Sequence, residues 1–141
     1  MVYVDTSALV ALIVNETKSA AVARWYAGSR AELVSAAWCV PEFASALAIK
    51  RRTSQLDVEQ ACQAWERFER LVANDLRLLP VEPADFHRAA VMVLDADSAL
   101  RAGDALHLAC AEHAGAKSVA TLDEVLARNA QRFKMKPLAF V

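Results

Sequence analysis

The stretch Val2-Tyr3-Val4-Asp5-Thr6-Ser7-Ala8-Leu9 opens the chain. Its first three residues are β-branched or aromatic, the make-up of a short buried strand. An acid, Asp5, stands where that strand ends, and a polar Thr6-Ser7 pair leads into the apolar run Ala8–Val14. The same junction, an apolar segment ending at an acid or a helix beginning on one, recurs three times. Glu42 follows Val40-Pro41, Asp104 opens Ala105-Leu106-His107-Leu108-Ala109-Cys110-Ala111, and Asp123 follows Val119-Ala120-Thr121-Leu122.

Outward from the first strand, helix and strand signals alternate to the end of the chain. Asn15 is placed to cap a helix through Ala27, with Gly28 as its stop. Leu33-Val34 is a strand candidate, and Pro41 suits the first residue of a helix reaching about Lys50. Asp57 with Gln60 has the pattern of a capping box, and Leu56 can staple onto Ala61. Val58, Ala61, Cys62, Trp65, Phe68, Leu71 and Val72 then share one helical face. Leu76 to Val81 reads as a strand, and Pro83 starts a helix to about Leu94. A polar loop from Asp95 to Gly103 leads to the helix opened by Asp104 and closed near Gly115. Ser118 to Thr121 reads as a strand, Thr121 with Glu124 as a second capping box, and Leu138-Ala139-Phe140 as a terminal strand behind Pro137. Short strands separated by helices need crossover connections, so the expected architecture is α/β, a mostly parallel sheet with helices on both faces. No repeat or linker interrupts it, and residues 1–141 form one expected domain.

The 141 residues suffice to bury a sizeable core. Apolar residues at 56% and charged residues at 23% exclude a disordered tail, and the net charge of −1 excludes a broadly basic nucleic-acid coat while permitting a local basic groove. Cys39, Cys62 and Cys110 are an odd number without CxxC spacing, each in an Ala-rich stretch, and read as buried small apolar residues. Met1 leads straight into a strand without a basic leader, and Ala8–Val14 falls far short of the roughly 20 residues that span a bilayer. A cytoplasmic protein without membrane association is expected.

Ligands of parallel sheets bind beyond the carboxyl ends of the strands, which is where Asp5 and Asp123 fall; the helix starts at Glu42 and Asp104 could face them. Each acid alone has an ordinary explanation as a helix-start residue opposing the dipole. Glu42 behind Pro41 fits that explanation best. Asp123 fits it less well if Thr121 supplies the cap, and Asp104, behind a Gly and ahead of the most apolar helix, fits least. Gathered at one sheet edge, four carboxylates repel one another and raise each other's pKa unless a cation is present. Their hard oxygens suit Mg²⁺ or Mn²⁺.

The opening Val4-Asp5-Thr6-Ser7-Ala8-Leu9, the Pro41-Glu42 helix start, Asp104-Ala105-Leu106-His107-Leu108-Ala109 and Thr121-Leu122-Asp123 together resemble the PIN domain. More narrowly, they are similar to the VapC-type toxins of bacterial toxin–antitoxin pairs, over essentially the full length and with the acids in order. The resemblance implies a PIN-like three-layer α/β/α sandwich and a Mg²⁺- or Mn²⁺-dependent endoribonuclease acting on RNA, tRNA or rRNA being candidates. It further implies a homodimer, a VapB-like cognate antitoxin, and attack by water that leaves a 5′-phosphate and a 3′-hydroxyl. Position by position, Asp5 matches the first acid and Asp104 the third, the pair most directly tied to metal. Glu42 matches the second and Asp123 the fourth, Thr121 matches a hydroxyl position near the metal, and Ser7 lies at the same rim. The stretch Leu126 to Lys134 departs from the family in lacking the Gly often found before the terminal strand.

Lys50-Arg51-Arg52 and Arg101 are candidate contacts to an RNA backbone, although the triplet also opposes the dipole at a helix end. His107, three residues after Asp104 but between two leucines, reads as a packed, hydrogen-bonded histidine rather than a general base. Trp25, Tyr26, Trp38, Trp65 and Phe68 fall at helical spacing and read as core or dimer surface; Trp25, Tyr26, Trp38 and Phe43 also mark an expected docking surface for the antitoxin. Two rival readings stand beside the nuclease. A receiver-like signalling domain would need paired acids after its first strand, where this chain has Asp5 alone. A catalytically inert PIN-fold binding module would not need all four acids. An Asp-x-Asp phosphatase is excluded by Ser7.

Overall fold

Alternation along β1 (Val2–Val4) places Val2 and Val4 on one face of a parallel sheet and Tyr3 on the other, so a single strand feeds two cores. The computed structural model describes all residues 1–141. The remaining α-helices and strands are α1 (Thr6–Ile13), α2 (Ser19–Gly28), β2 (Leu33–Ala36), α3 (Cys39–Arg52), α4 (Val58–Asn74), β3 (Leu76–Leu79), α5 (Pro83–Leu94), α6 (Ala102–Ala114), β4 (Ser118–Ala120), α7 (Glu124–Arg132) and β5 (Lys136–Pro137). All five strands run parallel in the order β3-β2-β1-β4-β5, in register Tyr3 with Val34 and with Val119. The first three strands grow the sheet one way and the last two the other. The order therefore reverses between β1 and β4, the crevice where such sheets bind ligands.

Helices α1 to α4 cover the face of Val2, Val4 and Leu33, and α5 to α7 the face of Tyr3, Val34 and Val119, giving three layers. On the first side Phe43 of α3 stacks on Phe68 of α4, ring centroids 4.4 Å apart, with Trp65 beside them. Trp65 and Phe68 are thus core, as expected. So is Phe43, which is fully buried and cannot belong to a docking surface. Trp25 packs edge-on against Phe140, and the Tyr26 hydroxyl bonds Asp75, so these two are also partly committed. No helix is long and apolar enough to cross a membrane.

Several boundaries differ from the sequence reading. Ala8–Val14 belongs largely to α1, and α2 starts at Ser19 rather than after Asn15, because the Ser19 hydroxyl takes the Glu16 N–H and donates to the Val14 carbonyl. Gly28 is the last residue of α2 and has no positive φ; the left-handed glycine cap is found at Gly115, closing α6 as expected. Pro41 is preceded by two helical residues, which the first turn tolerates because its N–H groups have no partner anyway. The Asp57–Gln60 capping box forms in both directions, at 2.7 and 2.9 Å. On α4, however, Val58 and Cys62 are exposed and Ala64 is buried, so Cys62 is not a core thiol as Cys39 and Cys110 are. The terminal strand is Lys136–Pro137, set by the Lys136 N–H bonding the Lys117 carbonyl, and Leu138 only continues it with one bond to Val119.

Candidate active site

The Asp5 N–H donates to the Ala120 carbonyl at 3.0 Å, so the chain leaves β1 and β4 side by side at the reversal of strand order. Asp5 caps α1: its Oδ1 accepts the Ala8 N–H at 3.3 Å and the Ser7 hydroxyl at 2.6 Å. Ser7 Oγ accepts the Leu122 N–H at 2.9 Å and lies 3.4 Å from the Thr121 hydroxyl. Thr121 in turn accepts the Asp123 N–H at 3.0 Å. The two loops are thereby stitched together by Ser7 and Thr121, the rim positions singled out in the sequence.

Asp123 itself is the N-cap of α7, its Oδ1 accepting the Leu126 N–H at 2.9 Å. This corrects the expected Thr121–Glu124 capping box: α7 begins only at Glu124, and the cap falls to the residue immediately before it. The ordinary explanation of acids at helix starts therefore holds in part for both Asp5 and Asp123. Each cap engages one oxygen, Oδ1.

Glu42 and Asp104 arrive from the first turns of α3 and α6. Asp104 does not open its helix; α6 starts at Ala102, behind Arg101 as N-cap. Gly103 explains the close approach of these two turns, since a Cβ there would stand 3.3 Å from Glu42 Oε2 and 3.4 Å from Trp38 Nε1. One turn along α6, His107 Nε2 bonds Glu42 Oε1, which also accepts the Thr6 hydroxyl at 2.6 Å. His107 is buried and hydrogen-bonded, as the sequence suggested, but its partners are Glu42 and Tyr3 rather than the apolar core alone.

The electrostatics follow from this crowding. Burial pushes the Asp5 carboxyl above its ordinary range, offset only in part by His107 and by hydrogen bonds from Ser7, Ala8 and Thr121. Asp104 is raised by burial, then by the neighbouring carboxylates Asp123 and Glu42. Burial works on Glu42 in the same sense, but the bonds from His107, Thr6 and Trp38 outweigh it and hold Glu42 below the usual range. No Lys or Arg forms an ion pair with any of the four acids; each such pair in the molecule joins other residues. No three acidic or imidazole side chains draw together as a closed ligand cage. A hard cation such as Mg²⁺ asks for less, because it keeps several waters and takes only one or two carboxylates. The uncompensated oxygens fit that demand.

The candidate basic residues are placed unevenly. Lys50 pairs with Glu16 at 2.7 Å and lines a groove that also includes Thr6, Ser7 and Leu122. Arg51 and Arg52 are exposed at the far end of α3, roughly 15 Å along its axis from Glu42, so the triplet does not reach the acids as a unit. Arg101 is exposed just before the turn that carries Asp104. Sequence reasoning passed over Tyr3, Thr6 and Gly103, and assigned Trp38 to core, dimer or antitoxin contacts rather than to the surroundings of Glu42. Tyr3 had a usable signal, since a tyrosine in an otherwise aliphatic buried strand must find a partner for its hydroxyl.

The fold has counterparts of known structure. Mycobacterium tuberculosis VapC20, described as a sarcin-ricin loop cleaving toxin, superposes with a TM-score of 0.74 at 16% identity, covering 92% of this chain and 95% of that one. FitAcB from Neisseria gonorrhoeae gives 0.74 at 18% identity, over 99% and 97% of the two chains. FitAB bound to a DNA fragment gives 0.72 at 19% identity, over 98% and 94%. No curated protein matches the chain by sequence. The family model of the PIN domain, by contrast, matches residues 2–131, nearly the whole sheet and every helix, and the chain belongs to the PIN domain family.

Proposed function

We propose that the chain is a Mg²⁺- or Mn²⁺-dependent endoribonuclease, the toxin of a type II toxin–antitoxin pair. The observation that carries this reading is that Asp104 feels the charges of Asp123 and Glu42, beside the strand-order reversal where Asp5 leaves β1, with no Lys or Arg paired to any of the four. Neighbouring, partly buried like charges of that kind favour a cation. Asp5 and Asp104 would hold the ion, Asp123 would complete its surroundings, and Glu42 would support it or orient the attacking water. Ser7 and Thr121 keep the two acid-bearing loops in place. A divalent ion supplies a lowered pKa for its water and Lewis-acid polarisation of a phosphate oxygen.

Membership in the PIN family and the likeness to VapC20, itself an RNA-cleaving toxin, support structured RNA as substrate, tRNA or rRNA. Arg101 and Lys50, with Arg51 and Arg52 further out, would contact its backbone. The likeness to FitAcB and FitAB supports a cognate antitoxin of the VapB kind in a cytoplasmic complex, with a homodimer of this chain at its centre.

The cap roles of Asp5 and Asp123 favour one rival, a PIN-fold binding module without catalysis. Incubation of total tRNA and rRNA with the purified protein separates the two. The nuclease yields 5′-phosphate ends with Mn²⁺ or Mg²⁺ and none with EDTA. RNA left intact in both conditions supports the binding module.

A further inference from the structure

Tyr3 and His107 are buried polar groups, 0% and 2% exposed, in a strand and a helix that otherwise give apolar side chains to the core. The Tyr3 hydroxyl oxygen accepts the Ala36 N–H at 3.1 Å and stands 2.7 Å from His107 Nδ1. A tyrosine has one proton to give. The Ala36 N–H cannot take it, and the hydroxyl makes no hydrogen bond besides these two, so the proton goes to Nδ1. A ring nitrogen that accepts is unprotonated, which places the ring hydrogen on Nε2, directed at Glu42 Oε1. The same oxygen receives the Thr6 hydroxyl at 2.6 Å. Glu42 Oε1 is thus saturated by two donors. Oε2, which lies beside Gly103 and the Trp38 indole, takes neither of these donors.

We propose that His107 is a positioning residue for Glu42, with Tyr3 setting its tautomer: a hydrogen-bond chain from the Ala36 N–H through Tyr3 and His107 fixes Oε1 and leaves Oε2 as the oxygen for the metal or its water. The role rests on the nuclease reading of the acid cluster. Ligands to a metal are held by partners behind them, and loss of such a partner typically weakens metal binding 10- to 100-fold.

Two measurements without RNA test it. Ring ¹⁵N spectra of the wild type should show His107 as the Nε2–H tautomer, and Tyr3→Phe should give a mixture of tautomers. Calorimetry with Mn²⁺ should show binding weakened about tenfold or more in His107→Leu. His107→Gln, whose amide N–H can reach the same oxygen, should recover most of it. An Nδ1–H pattern in the wild type overturns the proposal, and so does a folded His107→Leu that binds Mn²⁺ as the wild type does. If His107→Leu does not fold, Tyr3→Phe decides: wild-type tautomer and wild-type Mn²⁺ affinity together overturn the proposal. A wild-type protein that binds no Mn²⁺ overturns the nuclease reading and the positioning role with it. Wild-type binding indifferent to both Tyr3 and His107 overturns the positioning role alone.

Discussion

Asp104 carries a carboxyl that burial, Asp123 and Glu42 hold above its ordinary pKa, and the buried Asp5 is raised likewise. The folded protein therefore takes up protons at these two groups more readily than the unfolded chain. Stability from such groups is greatest at low pH and falls as pH rises from the ordinary carboxylate pKa through the raised folded one. At neutral pH, without metal, both charges destabilise the fold; for half-buried Asp104 solvent screening reduces the effect. Asp5→Asn and Asp104→Asn should each melt no lower than the wild type in EDTA, since Asn caps α1 about as well as Asp5 does, and Asp104, which caps nothing, only loses its repulsion with Asp123 and Glu42. Each should also lose RNA cleavage beyond the roughly 100-fold expected for loss of an outer-shell partner. Melting curves in EDTA from pH 5 to 8, beside a cleavage assay, check both halves. Full cleavage by either variant would remove that acid from the catalytic site. Glu42 runs the other way: its lowered pKa contributes stability above the unfolded value that is lost as pH falls through the folded one.

Elements were legible where one residue type settles a boundary. Pro83 begins α5, Gly115 in a left-handed conformation ends α6, and Asp57 with Gln60 boxes the start of α4. They were not where tertiary contacts chose between equivalent starts, as at Asn15 against Ser19, or where a helix was amphipathic without a partner for its whole apolar face, as at Val58 and Cys62. The four acids were legible as helix-start and strand-end residues. That His107 and Thr6 hold one of them was not, because contacts across 65 and 36 residues leave no local pattern. The α3–α4 pairing offers a measurable consequence. Phe43 stacks on Phe68 and follows Glu42 directly, so Phe43→Ala should cost about 3–5 kcal/mol as a large buried truncation. Asp57→Ala, which removes only a cap, should cost about 1 kcal/mol. Urea unfolding of both variants measures the difference, and a Phe43→Ala loss as small as the cap's would mean the stack contributes little.

At the scale of the molecule, the order β3-β2-β1-β4-β5 sets the ends of β1 and β4 side by side, and so brings the loops of Asp5 and Asp123, 118 positions apart, to one edge of the sheet, which sequence can suggest but only topology can assemble. A metal that binds only the folded state adds about 2.7 kcal/mol at a hundredfold excess over its Kd. Millimolar Mn²⁺ should therefore raise the melting midpoint relative to EDTA, and should not do so in Asp104→Asn. The same topology leaves α5 with an unpartnered apolar side. Phe86, Val91 and Leu94 are more than half exposed, and Phe86 and Leu94 flank a cleft of about 500 Å³ that reaches Trp38 and Gly103. Monomers rarely expose contiguous apolar patches beyond a few hundred Å². A stable interface covers about 800 Å² per partner, within reach of one long helix face and its surroundings. If a second copy covers this face, light scattering should report a dimer at micromolar concentration. Leu94→Asp and Phe86→Asp should give monomers, because a desolvated unpaired carboxylate at the centre of an apolar contact is strongly unfavourable. Both side chains are exposed in the single chain, so the variants should keep the wild-type helical signal and the wild-type response to Mn²⁺. A wild type that is monomeric at these concentrations removes the dimer and leaves the acid site as it is, since every side chain placed there belongs to one chain.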